Sequence, residues 1–177
     1  RVLTTSTVTT MKADTVTETQ LRLSDAEFFV PLRPIPKQSA RFGNKRVWQP
    51  KRVKANAKAI QMISRAAAMA SRWEIDEMPV AIQVHFLFKW PTATRKAERN
   101  TWKLRTQTPD TDNLMKQFMD STMGFWADDR QVAIKHLYKW NAPEEGIGCR
   151  IIKVSDFQEL NLLNTYDSLV WIMGTLA

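Results

Sequence analysis

Residues 109–130 read PDTDNLMKQFMDSTMGFWADDR and hold five of the 18 acidic residues of a chain that is otherwise strongly basic. Two aspartates, Asp110 and Asp112, stand near the start of the stretch, and a second acidic pair lies near its end. Apolar residues recur between the pairs at three- and four-residue spacing, which predicts a helix with one buried face from about Asp112 to Gly124. Asp112 or the residue before it is the expected N-cap, and Gly124 suits the C-terminal end.

The second acidic pair, Asp128 and Asp129, directly precedes residues 132–140, where alternating side chains predict a strand. Both acidic pairs therefore lie at the ends of predicted elements, where side chains can converge. Two carboxylates about 5 Å apart repel by roughly 3 kcal/mol at an effective dielectric of about 20, so such a pocket favours a cation. Oxygen ligands at this charge density suit Mg²⁺, with Mn²⁺ as a substitute. Lys116, one turn after Asp112, would pair with that carboxylate or reach a phosphate.

A purely structural interpretation of the same residues stays open at this point. Asp110 and Asp112 would then be turn and cap residues, Asp128 and Asp129 the tip of a hairpin, and Lys116 a solvated helix residue. The spacing of the first two aspartates does not decide between the alternatives.

The order of the remaining predicted elements indicates an α/β (α+β) domain with a small mixed sheet and two main helices packed on it. The elements in chain order are a strand at 28–32, a basic loop at 37–46, a basic helix at 50–72, a strand at 78–90, the acidic helix, a strand at 132–140, a turn at 141–148 and a strand at 149–154. We expect the last two strands to form a hairpin with each other.

The predicted domain organisation has three parts. Residues 1–27 are threonine-rich and polar, which predicts a flexible N-terminal extension. Residues 28–154 form the domain. Residues 155–177 carry apolar side chains at helical spacing, and we expect a C-terminal helical extension that packs on the domain or on a dimer interface.

The charge distribution favours a polyanionic partner. The net charge is +8 and the sequence pI is about 9.8, which points to nucleic acid before acidic lipid. Residues 28–73 contain eleven Lys or Arg and no acidic residue. A soluble surface normally mixes both signs, so phosphate contacts explain this stretch better than solubility does.

A second basic segment, residues 92–109, directly precedes the first acidic pair and could hold the phosphodiester backbone of a bound nucleic acid, while Trp102 could stack on an exposed base. An exposed loop anchored by that tryptophan is the alternative. The predicted DNA-binding residues of both segments are Arg41, Arg46, Lys51, Arg52, Lys54, Lys58, Arg95, Lys96, Arg99, Lys103 and Arg105.

The single cysteine, Cys149, excludes an internal disulfide and fits a reducing compartment. Its flanking residues predict a strand and a structural role. No run of 18 uncharged apolar residues is present, so no membrane span is expected. The expected location is the cytoplasm.

The string DTDNLMK at 110–116, a helix, and then GFWADDRQV at 124–132 resembles the RusA family of Holliday junction resolvases, small Mg²⁺-dependent endonucleases. The resemblance extends more loosely over residues 28–154. It implies that Asp110, Asp112 and Asp129 bind the metal, with Asp128 as a further candidate ligand, and that Lys116 assists. It also implies a homodimer that acts on branched double-stranded DNA, in a bacterial or phage-infected cell, since members are often prophage-borne.

The function predicted from the residues and the resemblance together is resolution of four-way junctions by paired symmetric nicks. An alternative is a catalytically inactive, structure-selective DNA-binding protein, which would keep the basic helix and bind without cutting. A third class, the aspartyl-phosphate phosphatases, places its first aspartate after a buried apolar strand, whereas residues 103–109 read KLRTQTP and are polar.

Overall fold

The computed structural model describes residues 25–37, 41–43, 46–48 and 50–154. The predicted helical extension at 155–177 and nearly all of the predicted N-terminal extension lie outside these residues. The described chain forms one five-stranded mixed sheet, a separate two-stranded ribbon and two long helices, which confirms the predicted α+β class. The strands are β1 Asp25–Val30, β2 Arg41–Gly43, β3 Arg46–Trp48, β4 Val80–Lys89, β5 Lys103–Leu104, β6 Val132–Ala142 and β7 Gly146–Lys153.

The large sheet has the order β1-β7-β4-β6-β5. Strand β4 lies at its centre, parallel to β6 and antiparallel to β7. Every β4 residue except Lys89 is buried, which agrees with its nearly continuous apolar sequence. The prediction of this strand is confirmed, and its apolar composition is what assigns it to the interior of the sheet.

The predicted hairpin between the last two strands is wrong. Strands β6 and β7 follow each other after only three residues, but β4 lies between them and pairs with both. The connection crosses the end of β4, where Lys89 and Glu144 form an ion pair at 3.4 Å. Turn residues in the sequence indicate where the chain reverses, but they do not indicate which strands pair. The apolar strand β4 pairs with both β6 and β7, because a buried strand needs a partner on each edge.

Other boundaries also differ from the sequence-based expectation. Strand β1 begins at Asp25 and ends at Val30, because Pro31 cannot extend the ladder. Part of the predicted basic loop forms the β2–β3 ribbon, and the basic connector contributes the short edge strand β5. The turn is shorter than the predicted 141–148, because β6 extends to Ala142 and β7 begins at Gly146.

Helices α1, Lys51–Ala70, and α2, Thr111–Ser121, cover one face of the sheet. Their buried side chains join the main core with Phe28 of β1 and Phe86 of β4, and the Phe118 ring of α2 lies 6.2 Å and 6.5 Å from those two rings. Neither helix is long and apolar enough to cross a bilayer, and the same holds for the rest of the described chain.

Two polar residues on the buried face of α1 hold loops in place. Val53 and Ile60 on this face are buried, and Asn56 and Ser64 are buried as well. The Asn56 amide donates to the Arg33 carbonyl at 3.1 Å, and the Ser64 hydroxyl accepts from the Met123 amide at 3.0 Å. Helix α1 therefore anchors both the loop after β1 and the segment after α2.

His85 occupies the opposite face of β4 and is 1% exposed. The rings of Tyr138 and Trp140 on β6 stack near it, at 4.7 Å and 6.2 Å between centroids. The Trp140 indole N–H donates to His85 Nδ1 at 3.0 Å, so that nitrogen is an acceptor. Burial lowers the pKa of His85 to about 4, and the ring is therefore neutral at pH 7.

Candidate active site

The first acidic pair lies at the N-terminal end of α2. Asp110 is the N-cap, one or two residues earlier than predicted, and Asp112 lies in the first turn. The Asp110 side chain does not cap a backbone amide, and neither carboxylate accepts a hydrogen bond or forms an ion pair within the described chain. The positive end of the helix dipole stabilises both charges. Both side chains are exposed, so they are available to a ligand from solvent.

The turn that delivers Asp110 is fixed by Lys139 of β6. Its ammonium donates to the Gln107 and Pro109 carbonyls, at 2.7 Å each. Burial lowers the pKa of Lys139, the Arg105 guanidinium lowers it further, and the Asp110 carboxylate partly opposes both effects. Lys139 is thus a positioning residue beside the acidic pair, which the strand pattern of β6 could not reveal.

Arg105 braces the same turn from the other side. Its guanidinium donates to the Thr108 carbonyl at 3.0 Å and to Asn141 Oδ1 at 2.8 Å, and it lies 4.8 Å from the centre of the Phe88 ring. The peptide between Thr108 and Pro109 is cis. Two cations therefore hold the backbone that precedes Asp110.

Lys116 lies one turn beyond Asp112 on α2 and is exposed. Its ammonium makes no hydrogen bond or ion pair with the residues that the structure describes. Lys37, by contrast, is committed to α2, because its amide donates to the Asn113 carbonyl at 2.9 Å and its ammonium pairs with Asp120. Lys116 is therefore the cation of this helix that a substrate could engage.

The second acidic pair begins a short 3₁₀ helix, Asp129–Gln131, and its two members differ in their contacts. Asp128 is the N-cap: it accepts from the Arg130 amide at 3.0 Å, and its other oxygen lies 3.4 Å from the Arg130 guanidinium. Gln131 completes a capping box by accepting from the Asp128 amide. Asp129 is exposed and makes no such contacts within the described residues. Asp128 thus has a structural role, and Asp129 is the member left for a ligand.

Segment 122–128 connects the two acidic pairs and is held by Ser64 of α1 and by Trp73, which follows that helix. Gly124 adopts φ +92°, which glycine reaches without strain. The Trp73 indole donates to the Phe125 carbonyl at 2.8 Å, and the two rings meet edge to face at 5.3 Å. These contacts fix the path of the chain between the pairs.

The described side chains include no group of three His, Cys, Asp or Glu residues arranged to hold a metal ion. The donor chemistry nevertheless fits Mg²⁺, which takes one or two carboxylates and completes its shell with waters and substrate phosphates. The unbonded carboxylates of Asp110 and Asp112 satisfy that requirement on one helix turn. The predicted convergence of Asp129 with these two carboxylates is not seen in the described chain.

The family model for endodeoxyribonuclease RusA matches residues 31–152, which is well over half of the chain. The chain belongs to the RusA family. Membership makes DNA its substrate class and endonucleolytic hydrolysis its reaction class. A comparison with curated proteins finds no match.

The predicted DNA-binding surface of this RusA-family chain is largely exposed. Its α1 members, Lys51, Arg52, Lys54 and Lys58, all lie on the solvent side of the helix. In the connector, Arg95, Lys96 and Lys103 are exposed too. The side chains of Arg41 and Arg46 lie outside the described part of the structure.

Two connector arginines are engaged within the RusA-like domain itself. Arg99 donates to the Thr92 and Thr94 carbonyls and so closes its own loop. Arg105 supports the turn before Asp110, as described above. Trp102 is half-buried against the Trp140 ring at 6.3 Å, which matches the anchoring alternative more closely than an open stacking platform.

Cys149 is buried in the core, and burial raises the pKa of its thiol, with a further rise from the charge of Glu27. A thiol of raised pKa is a poor nucleophile at neutral pH. Cys149 is therefore a structural residue rather than a candidate nucleophile.

Proposed function

We propose that this protein is a structure-selective endonuclease that resolves four-way DNA junctions by paired symmetric nicks. The observation that carries the proposal is the combination of the RusA match with unbonded Asp110, Asp112 and Lys116 side chains on the first two turns of α2. A homodimer with one acidic site per subunit is the simplest arrangement that makes two symmetric cuts.

In the proposed reaction, Asp110 and Asp112 hold Mg²⁺ or Mn²⁺, and Asp129 joins when DNA is bound. The ion, when bound, activates water and stabilises charge on the phosphoryl oxygens. Lys116 approaches the same phosphate and offsets the charge that develops on it. Lys139 keeps the turn before Asp110 in place through its bonds to the Gln107 and Pro109 carbonyls.

The exposed face of α1 would hold the DNA arms. Its lysine and arginine side chains have no acidic neighbours along the helix, since residues 51–70 contain none. Each phosphate contact releases condensed counterions, so the affinity should fall steeply with salt.

The test compares a labelled four-way junction with a matching linear duplex, each with Mg²⁺ and with EDTA. We expect paired nicks in the junction only, and only with metal. Asp112→Asn should reduce cleavage at least a hundredfold while junction binding is kept or strengthened, because metal ligation and a negative charge are lost together. Asp120→Asn, the same change two turns along α2, should cut normally. Cleavage by Asp112→Asn at the wild-type rate would remove Asp112 from the site.

A catalytically inactive DNA-binding protein is the second candidate, and the absence of a three-carboxylate group from the described residues favours it. It predicts junction binding without nicks in Mg²⁺ and in Mn²⁺. Under that outcome the wild-type chain and the Asp112→Asn variant would both bind the junction, and neither would nick it.

A further inference from the structure

A cavity of about 370 Å³ lies directly beside the turn that delivers Asp110. It is formed where three segments meet: the loop after β1, the first turn of α1, and the Thr108–Pro109 turn. This volume is at the lower end of the range of small-ligand sites, roughly 300–1,000 Å³. It can therefore hold one small organic molecule.

The cavity has a cationic side made by Arg33 and Arg52, and its described lining includes no acidic residue. Both side chains are exposed, and neither guanidinium forms an ion pair within the described chain. Arg105 stands behind the wall, with its buried Nε lacking a hydrogen-bond partner. Burial lowers the pKa of Arg105, and the charge of Arg33 lowers it further, so these guanidinium groups are close enough to repel each other. An anion placed between them would relieve that repulsion.

The other walls are apolar and rigid. Four prolines line the cavity, Pro34, Pro36, Pro50 and Pro109, and their rings fix the local backbone. Ile35 adds a further apolar surface. A phosphate of intact duplex DNA could reach the arginines, but it would leave this apolar recess unfilled. A nucleotide, with a phosphate at one end and a base at the other, matches both sides.

We infer that this cavity binds a single unpaired deoxynucleotide, with its phosphate on Arg33 and Arg52 and its base against Ile35 and the prolines. The inference rests on the proposed function and deepens it, because extruding a base costs least where the helix is already disrupted. The bases of a four-way junction can all be paired, but stacking is broken at the branch point, so a nucleotide there leaves the helix more easily than one within linear duplex. The cavity would thus supply preference for branched DNA, while the lysines of α1 supply affinity for both.

The first experiment uses the full chain in EDTA, so that binding is measured without cutting. Junctions carry 2-aminopurine at a branch-point position or within an arm, and its fluorescence rises when the base leaves the stack. We expect a rise on binding at the branch point only. Arg33→Gln should remove most of it and lower the ratio of junction to duplex affinity about tenfold, as loss of a charge-assisted contact implies.

Lys58→Gln is the matched control, since it removes the same charge from α1 outside the cavity lining. It should weaken junction and duplex binding by the same factor and keep the fluorescence rise. The inference is overturned if Arg33→Gln behaves in the same way, or if branch-point fluorescence does not change with the wild-type chain.

A second measurement separates the cavity from the nuclease proposal. Thymidine monophosphate, thymidine and inorganic phosphate are titrated into the metal-free chain by calorimetry. We expect the monophosphate to bind more tightly than either fragment, and Ile35→Asp to abolish that advantage. Equal binding of monophosphate and phosphate would refute a nucleotide site even if junctions are cut, whereas monophosphate binding without junction cleavage would refute only the nuclease.

Discussion

Lowering the pH from 7 to 5 should destabilise this protein, and His85 should account for a defined part of the loss. The ring is neutral in the folded state, with a pKa of about 4, whereas the ordinary value is 6.5. Between these values the unfolded chain binds the extra proton, so folding stability rises with pH and is lost as pH falls below about 6.5. A difference of about 2.5 pKa units corresponds to about 3 kcal/mol in full, of which about 2 kcal/mol is lost by pH 5.

The physical cause of the loss is specific. A proton on Nδ1 of His85 would face the Trp140 indole N–H, which now donates to that nitrogen at 3.0 Å. The site would then hold two opposed donors and a buried charge.

Urea unfolding at pH 7, 6, 5.5 and 5, followed by tryptophan fluorescence, measures the effect. Carboxylates also titrate near pH 5, so the informative quantity is the difference from His85→Gln, which cannot be protonated in this range. The wild-type chain should lose about 2 kcal/mol more than this variant. The other histidine, His136, is half-exposed, and His136→Gln serves as the control for replacing a histidine outside the core. Identical slopes for wild type and His85→Gln would refute the reasoning.

Three further changes test other parts of the structure. Lys139→Met should slow junction cleavage tenfold or more with little loss of junction affinity, because the turn before Asp110 loses both ammonium contacts. Lys139→Arg should restore part of the rate, and cleavage by the Met variant at the wild-type rate would contradict the positioning role. Gly124→Ala should lower the free energy of unfolding by about 1–3 kcal/mol in urea titrations, since φ +92° strains any residue with a Cβ; an unchanged midpoint would count against that backbone conformation. Replacing Lys51 and Lys54 with Gln should flatten the slope of log affinity against log salt by about 1.8, at about 0.9 for each phosphate contact; an unchanged slope would take α1 out of the DNA-binding surface.

The acidic helix and the central strand could be predicted because their signals are local. Helix α2 shows apolar residues at helical spacing after an aspartate N-cap, and β4 has an apolar residue at every second position from Val80 to Phe88. The cap itself was misplaced by one or two residues, since Asp110, Thr111 and Asp112 all suit that position. Residue type does not distinguish between adjacent caps.

Features that depend on partners distant in sequence could not be predicted. On α1, the polar side chains of Asn56 and Ser64 give no signal of burial in the sequence, yet both are buried because loops bring backbone groups to them. Lys139 appears in the sequence as one member of an alternating strand, and only the fold places it at the Gln107 and Pro109 carbonyls. For the same reason the capping role of Asp128 was visible only once the 3₁₀ helix was defined.

The position of β4 between β6 and β7 also constrains how the chain reaches its native state. Strands β6 and β7 are joined by three residues, and two such strands would ordinarily pair with each other first, within microseconds. Here that early pairing would be non-native, because β4 must occupy the gap between them. Synthesis from the N-terminus delivers β4 before either partner, which favours the native order of assembly. Refolding from denaturant lacks this advantage, so the protein should form its sheet more reliably on the ribosome than in dilution experiments.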